Sequence, residues 1–272
     1  MTSAVPFEYL AHVLVIPVTV GGVETKCVFD TGIGLSLISE DLAARVGVHR
    51  DGSTFTGQRM SGQAVTVPVG SLDSLQIGAS RMWNVPVGIF DMHAMAGLGE
   101  VEGFVSLSCF RTTPVTIDYS ARRLIVEDEA SLAARVAAGT SVAVHIREEN
   151  GSTDLALSLD LPSGKAITVE IDTGSDTLIL NRPLADDVGI DLDSPAVRTV
   201  EASDETGHQY VRYFTELSGD INVTGAPAIK MANPPVMFQR IIHDGLVGDA
   251  FLRNFTGTYD LANSRVIFAL PD

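Results

Sequence analysis

Two aspartates set in identical tripeptides, Asp30-Thr31-Gly32 and Asp172-Thr173-Gly174, are the residues of this chain best suited to chemistry. They stand 142 residues apart (172 − 30). Two carboxylates brought within about 3 Å cannot both ionise, so they hold one proton between them over a wide pH range. The ionised member can take a proton from a bound water while the protonated member donates to a carbonyl oxygen. Water then adds, and the tetrahedral gem-diol collapses as a proton returns to the leaving amine. A glycine beside each carboxylate lets the chain turn where a side chain would crowd it.

The same offset relates much more of the chain. Leu42-Ala43-Ala44-Arg45-Val46-Gly47-Val48 matches Leu184-Ala185-Asp186-Asp187-Val188-Gly189-Ile190, and Glu102-Gly103-Phe104-Val105-Ser106 matches Asp244-Gly245-Leu246-Val247-Gly248. Thr116-Ile117-Asp118 matches Thr258-Tyr259-Asp260, and Arg123-Leu124-Ile125 matches Arg265-Val266-Ile267. A lone Asp-Thr-Gly arises by chance in roughly a few per cent of such chains. Two copies in register with these matches are far rarer. Structural repeats usually come as three or more short units, whereas here there are two long ones. The repetition therefore predicts two similar halves that bring Asp30 and Asp172 together on a pseudo-two-fold axis.

The elements that must position the aspartates are mostly strands. Val13 to Val20 and Val23 to Phe29 flank Gly21-Gly22 as a hairpin, and Leu10 to Val20 as a whole reads as a strand. In the second half Leu155 to Leu161 and Ala166 to Ile171 flank Pro162-Ser163-Gly164-Lys165. Each second strand runs straight into its Asp-Thr-Gly. A further hairpin follows in each half: Thr54 to Val69, turning near Ser61-Gly62-Gln63, and Val197 to Leu217, turning near Glu205-Thr206-Gly207. Helices are few. Ser39 to Gly47 has an N-cap serine and a closing glycine, Pro183 to Gly189 is its counterpart, and Asp128 to Gly139 reads as a short helix closed by Gly139. The expected organisation is a first unit over 1–128, a linker over 129–140 and a second unit over 141–272.

Composition narrows the partners. The 272 residues carry 34 acidic and 18 basic side chains, a net charge of −16, which repels phosphate backbones and argues against nucleic-acid binding. With 45% hydrophobic residues the chain can build a real core. No apolar run approaches the length of a bilayer span, and the start shows no basic region ahead of an apolar run, so a cytoplasmic, monomeric protein free of membranes is expected. Cys27 and Cys109 are expected to be reduced, buried thiols. The six histidines are scattered, no paired cysteine spacing points to a metal, and no nucleophile elbow or phosphate loop occurs. No cofactor is implied.

These residues resemble the aspartic peptidase superfamily, the pepsin-like and retropepsin-like proteins, over nearly the whole chain. Val28-Phe29-Asp30-Thr31-Gly32 and Glu170-Ile171-Asp172-Thr173-Gly174-Ser175 look like its hydrophobic strand and Asp-Thr-Gly turn. Phe104-Val105-Ser106 and Leu246-Val247-Gly248 look like its second motif, and Thr258 to Phe268 resembles the closing strands of a pepsin-type C-terminal lobe. The resemblance implies a mainly β, bilobal pepsin-like aspartic protease fold with two pseudo-two-fold related β-barrel lobes and a few short helices. It implies catalytic Asp30 and Asp172, supported by Thr31, Gly32, Thr173, Gly174 and Ser175. The two threonines would turn inward and hydrogen-bond across the two-fold. The substrate cleft and flap would involve Ile33, Phe55, Met60 and Tyr210, and Met92 to Gly99 would line the cleft with methionines.

The first half departs from the family pattern. Ile33 stands where a hydroxyl or small residue is usual, and Ser106 replaces the second motif's glycine. The hairpin Thr54 to Val69 carries Phe55, Arg59 and Met60 but no tyrosine. The expected activity is peptide-bond hydrolysis on a peptide substrate. The alternative is a cyclase- or dehydratase-type enzyme that uses the same dyad on a small molecule, and a third reading is an inactive peptide-binding module.

Overall fold

In the computed structural model, which describes residues 2–92, 97–149, 151–203 and 208–271, the chain is mainly β-strand with a few short helices. An eight-stranded sheet is built from first-half strands, in the order Glu8–Leu10, Val13–Val20, Val23–Asp30, Val101–Ser106, Leu37–Ser39, Ser80–Phe90, Ala64–Ile77 and Thr54–Gln58. Thr19 and Val20 also pair with Gln76 and Leu75, which curls this sheet back on itself. A ten-stranded sheet uses second-half strands between His145 and Gly245–Val247. A six-stranded sheet draws on both halves, in the order Ser3–Pro6, Arg123–Val126, Val115–Asp118, Thr256–Asp260, Arg265–Ala269 and Thr140–Ala143.

The repeat is visible in register. Leu37 lies opposite Phe104 in the first half, and Ile179 lies opposite Leu246 in the second, both partners shifted by the same 142 positions. Strand Val23–Asp30 runs parallel to Val101–Ser106, and Ala166–Ile171 runs parallel to Gly245–Val247. Where the halves meet in the six-stranded sheet, Thr116 pairs with Thr258 and their hydroxyls are 2.7 Å apart.

Local sequence accounts for these elements. Strand Ser152–Asp160 alternates, with Leu155, Leu157 and Leu159 fully buried and Asp154, Ala156 and Ser158 half-buried on the other face. Gly21 and Gly22 take φ of 54° and 87°, the left-handed pair that a two-residue hairpin needs. Helix Glu40–Val46 starts where Ser39 accepts from Leu42 N–H and stops at Gly47, φ 67°. Helix Glu129–Ala138 opens on a capping box between Asp128 and Ser131. One apolar core with residues from both halves, including Phe29, Phe110, Phe238, Phe251 and Phe268, underlies the sheets.

Two local readings need correction. The apolar run from Leu10 to Val20 is two strands, because Ala11 takes φ 55° and breaks the run ahead of Val13. The helix at Pro183 is one turn, Leu184–Asp187, without a side-chain cap. Gly139 does close helix Glu129–Ala138, in an extended conformation at φ −113°, where an added Cβ would meet Ile267 Cγ2 at 2.6 Å. The predicted turn at Glu205-Thr206-Gly207 and residues 93–96 of the methionine-bearing segment lie outside the described residues. Cys27 and Cys109 are both free thiols. Among the described residues no helix is long and apolar enough to cross a membrane.

Candidate active site

Each aspartate sits where a central strand ends. Asp30 closes Val23–Asp30, and Asp172 follows Ala166–Ile171, its N–H donating to Val247 O at 3.0 Å. The turn that follows folds the backbone back on its own carboxylate. Gly32 N–H donates to Asp30 Oδ1 at 2.9 Å, and Gly174 N–H donates to Asp172 Oδ1 at 2.8 Å.

The threonines tie the two turns together. Thr31 N–H donates to Thr173 Oγ1 and Thr173 N–H donates to Thr31 Oγ1, both at 3.0 Å. Each hydroxyl then donates onward into the opposite half, Thr31 to Ile171 O at 2.7 Å and Thr173 to Phe29 O at 3.3 Å. Both side chains are wholly buried, so four polar groups find partners that solvent does not supply. Two outer clamps reinforce the cross-link. The His12 ring is 2.7 Å from Gly174 O, and Thr153 N–H donates to Gly34 O at 2.9 Å.

This packing sets each carboxyl against the glycine of the opposite turn. A Cβ added at Gly32 would stand 2.3 Å from Asp172 Oδ1, and one at Gly174 would stand 2.6 Å from Asp30 Oδ2. Burial, and next the charge of Asp172, push the Asp30 carboxyl well above the ordinary carboxylate range. A side-chain hydrogen bond with Asp172 adds to the upward shift, while the Gly32 and Gly174 N–H groups oppose it.

The turns differ on their outer sides. Ser175 Oγ donates to Asp172 Oδ2 at 2.6 Å. At the matching position Ile33 packs instead with Val15, Val28 and Phe104 in an apolar cluster. Behind Asp30, Ser106 N–H donates to Ser36 Oγ at 3.0 Å, and Ser106 Oγ lies 2.5 Å from Ser108 Oγ. The second half has no room for such a side chain. A Cβ at Gly248 would meet Ser175 O at 2.5 Å and Thr177 O at 2.6 Å.

The first-half hairpin reaches over to the second half. Its turn closes with Gly62 N–H donating to Arg59 O at 2.8 Å, and Gly62 has φ 84°. Ile242 N–H donates to Met60 O at 2.9 Å, and Met60 packs on Ile179, Met237, Ile241 and Leu246. Phe55 and Tyr210 stand apart from both of these apolar clusters. Phe55 lies on strand Thr54–Gln58, and Tyr210 is stacked by Arg212 with the guanidinium carbon 4.1 Å from the ring centre.

Sequence reasoning overlooked a second polar pair near Asp172. Glu170 Oε2 lies 3.3 Å from His243 Nε2. Strand alternation carried the signal for Glu170, two residues before Asp172 and so on the same face. Nothing local marks His243, which arrives from a distant loop. Among the described residues no three His, Cys, Asp or Glu side chains converge as metal ligands.

No curated protein matches the chain. A family model described as aspartyl protease matches residues 16–102, a span that holds the strand ending in Asp30, its turn and the hairpin bearing Met60. That match likens the first half of the chain to aspartyl proteases.

Proposed function

We propose that this protein is an aspartic-type endopeptidase, in which Asp30 and Asp172 activate a water against a peptide bond lying between two pepsin-like lobes. The eight-stranded sheet forms the first lobe, the ten-stranded sheet forms the second, and the six-stranded sheet joins them. One observation carries the reading: the Thr31–Thr173 cross-link sets the two Asp-Thr-Gly turns face to face, with the glycine of each turn against the other turn's carboxyl. Asp172, which accepts from Ser175 and Gly174, is the base that takes a proton from water. Asp30 is the acid that donates to the carbonyl oxygen of the substrate. The resulting gem-diol returns a proton to the leaving nitrogen as the C–N bond breaks. The hairpin carrying Met60 is the flap that excludes bulk water from this step.

A second reading, acid–base chemistry on a small molecule, draws on Ile33 beside Asp30 and on a flap hairpin without a tyrosine. One digest separates the two. An unstructured protein is incubated with the enzyme and the new termini are mapped by mass spectrometry. Internal cleavage that disappears in Asp30→Asn supports the peptidase. Intact substrate across the acid-to-neutral range overturns it.

A further inference from the structure

The two walls beside the dyad are chemically unequal. Glu170 shares a strand face with Asp172, and its counterpart 142 positions earlier is Val28, fully buried in the cluster with Val15, Phe104 and Ile33. The Glu170 side chain is 12% exposed, and His243, 3.3 Å away, is 38% exposed. His243 belongs to the same short loop that receives the flap, where Ile242 N–H holds Met60 O. Leu246, one of the apolar residues seating Met60, is the register partner of Glu170. An apolar seat filled by one unbranched side chain and a carboxyl–imidazole pair therefore share one face.

The charges around this pair are mostly negative. Asp172, Asp154 and Asp30 face Glu170, and Asp154, Arg147, Asp172 and Asp244 act on His243. Burial, helped by those three aspartates, raises Glu170 to about 9, and burial lowers His243. Both shifts oppose charging this pair, despite its ion-pair spacing. Among the described residues no lysine or arginine is paired with Glu170.

We propose that Glu170 is a specificity-determining residue, closing an apolar subsite that accepts a long substrate side chain ending in a cation, a lysine or an arginine. The inference rests on the peptidase reading and narrows its substrate class. The apolar stem replaces Met60 on Ile179, Met237, Ile241 and Leu246 when the flap lifts, and the charged end meets Glu170. On binding, Glu170 loses its proton to solvent by way of His243 Nε2, and the new carboxylate pairs with the incoming ammonium or guanidinium. Binding a cation therefore releases a proton, and preference for it climbs with pH up to the range where Glu170 ionises unaided.

The test uses paired peptides that differ at one residue next to the scissile bond, lysine against norleucine, competed in one mixture. The ratio of kcat/KM cancels the titration of the dyad itself. In wild type the ratio should rise from pH 5 to pH 8 by up to about ten-fold per unit. In Glu170→Val, which copies the first half's Val28, it should fall about ten-fold or more and lose its pH dependence. Glu170→Gln provides a near-isosteric second variant with the same expected loss of slope. A ratio that is flat with pH in wild type, or unchanged in both variants, overturns the proposal. If wild type cleaves neither peptide, the peptidase reading fails, and a binding arm decides this one. Ligand-observed NMR with n-hexylamine and 1-hexanol should show wild type favouring the amine and Glu170→Gln losing that preference. Equal binding of the two probes by wild type overturns the subsite.

Discussion

Replacing Gly32 or Gly174 with alanine should disable the dyad with little loss of fold, and the structure sets the order of severity. Neither glycine has the positive φ that strains an L-residue, so the backbone accepts alanine and the damage is steric alone. The new Cβ at position 32 would lie 2.3 Å from Asp172 Oδ1, and at position 174 it would lie 2.6 Å from Asp30 Oδ2. Ordinary contact begins near 3.4 Å, so the carboxyls must retreat by about 1.1 Å and about 0.8 Å respectively. A displacement of about 1 Å costs roughly a hundred-fold in rate, and crowding of this kind costs about 1–3 kcal/mol of stability. The assay is turnover of an unstructured protein or mapped peptide beside thermal unfolding. Gly164→Ala is the control. Gly164 has φ 83° with open space around it, so its alanine should cost about 1–2 kcal/mol through backbone strain and leave the rate unchanged. If Gly32→Ala folds and keeps its rate within ten-fold, close approach of the two carboxyls is not what sets turnover.

Further outcomes follow from neighbouring contacts. Thr31→Val strips the partner from Thr173 N–H in a fully buried site and should cost about 1–3 kcal/mol in denaturant unfolding. Ser175→Ala removes a 2.6 Å donor to Asp172 and should move the acid limb of the pH–rate profile upward, whereas Ile33→Ser, by offering Asp30 a donor, should move the upper limb downward. Glu170 and Asp30 have carboxyls raised by folding, so each contributes stability below the unfolded carboxyl range that is lost as pH climbs toward the folded value. Glu170→Gln should therefore gain on wild type from about pH 5 upward, by on the order of a few kcal/mol at pH 8 in urea titrations. A variant that tracks wild type at every pH would show that Glu170 is not held protonated.

Much of the frame was readable from the chain because it repeats itself. The 142-residue offset predicts the matching registers at Leu37 and Ile179, since a repeated apolar pattern can bury itself only by repeating its pairing. The hairpin at Gly21-Gly22 and the cap at Ser39 were legible from local turn and capping chemistry. The six-stranded sheet was not, because it joins strands from both ends of the chain and no local pattern encodes such distant partners. The length of the hairpin Ala64–Ile77 with Ser80–Phe90 was also missed, as Pro68, Gly70 and Pro86 interrupt its alternation. At the site, the aspartates and threonines announce themselves by motif. The docking of Met60 on Ile242 and the pairing of Glu170 with His243 depend on loops meeting in space, and side-chain type alone does not report that.

The most direct test is the pH–rate profile from pH 3 to pH 8 for wild type, Asp30→Asn and Asp172→Asn on one cleavable unstructured protein. Asparagine keeps the shape of each side chain but cannot hold or pass the proton. The account predicts a bell-shaped profile for wild type, its upper limb displaced toward neutral pH by the raised Asp30 carboxyl, and a loss of at least a hundred-fold in each variant with folding intact. Near-wild-type cleavage by either folded variant would contradict it.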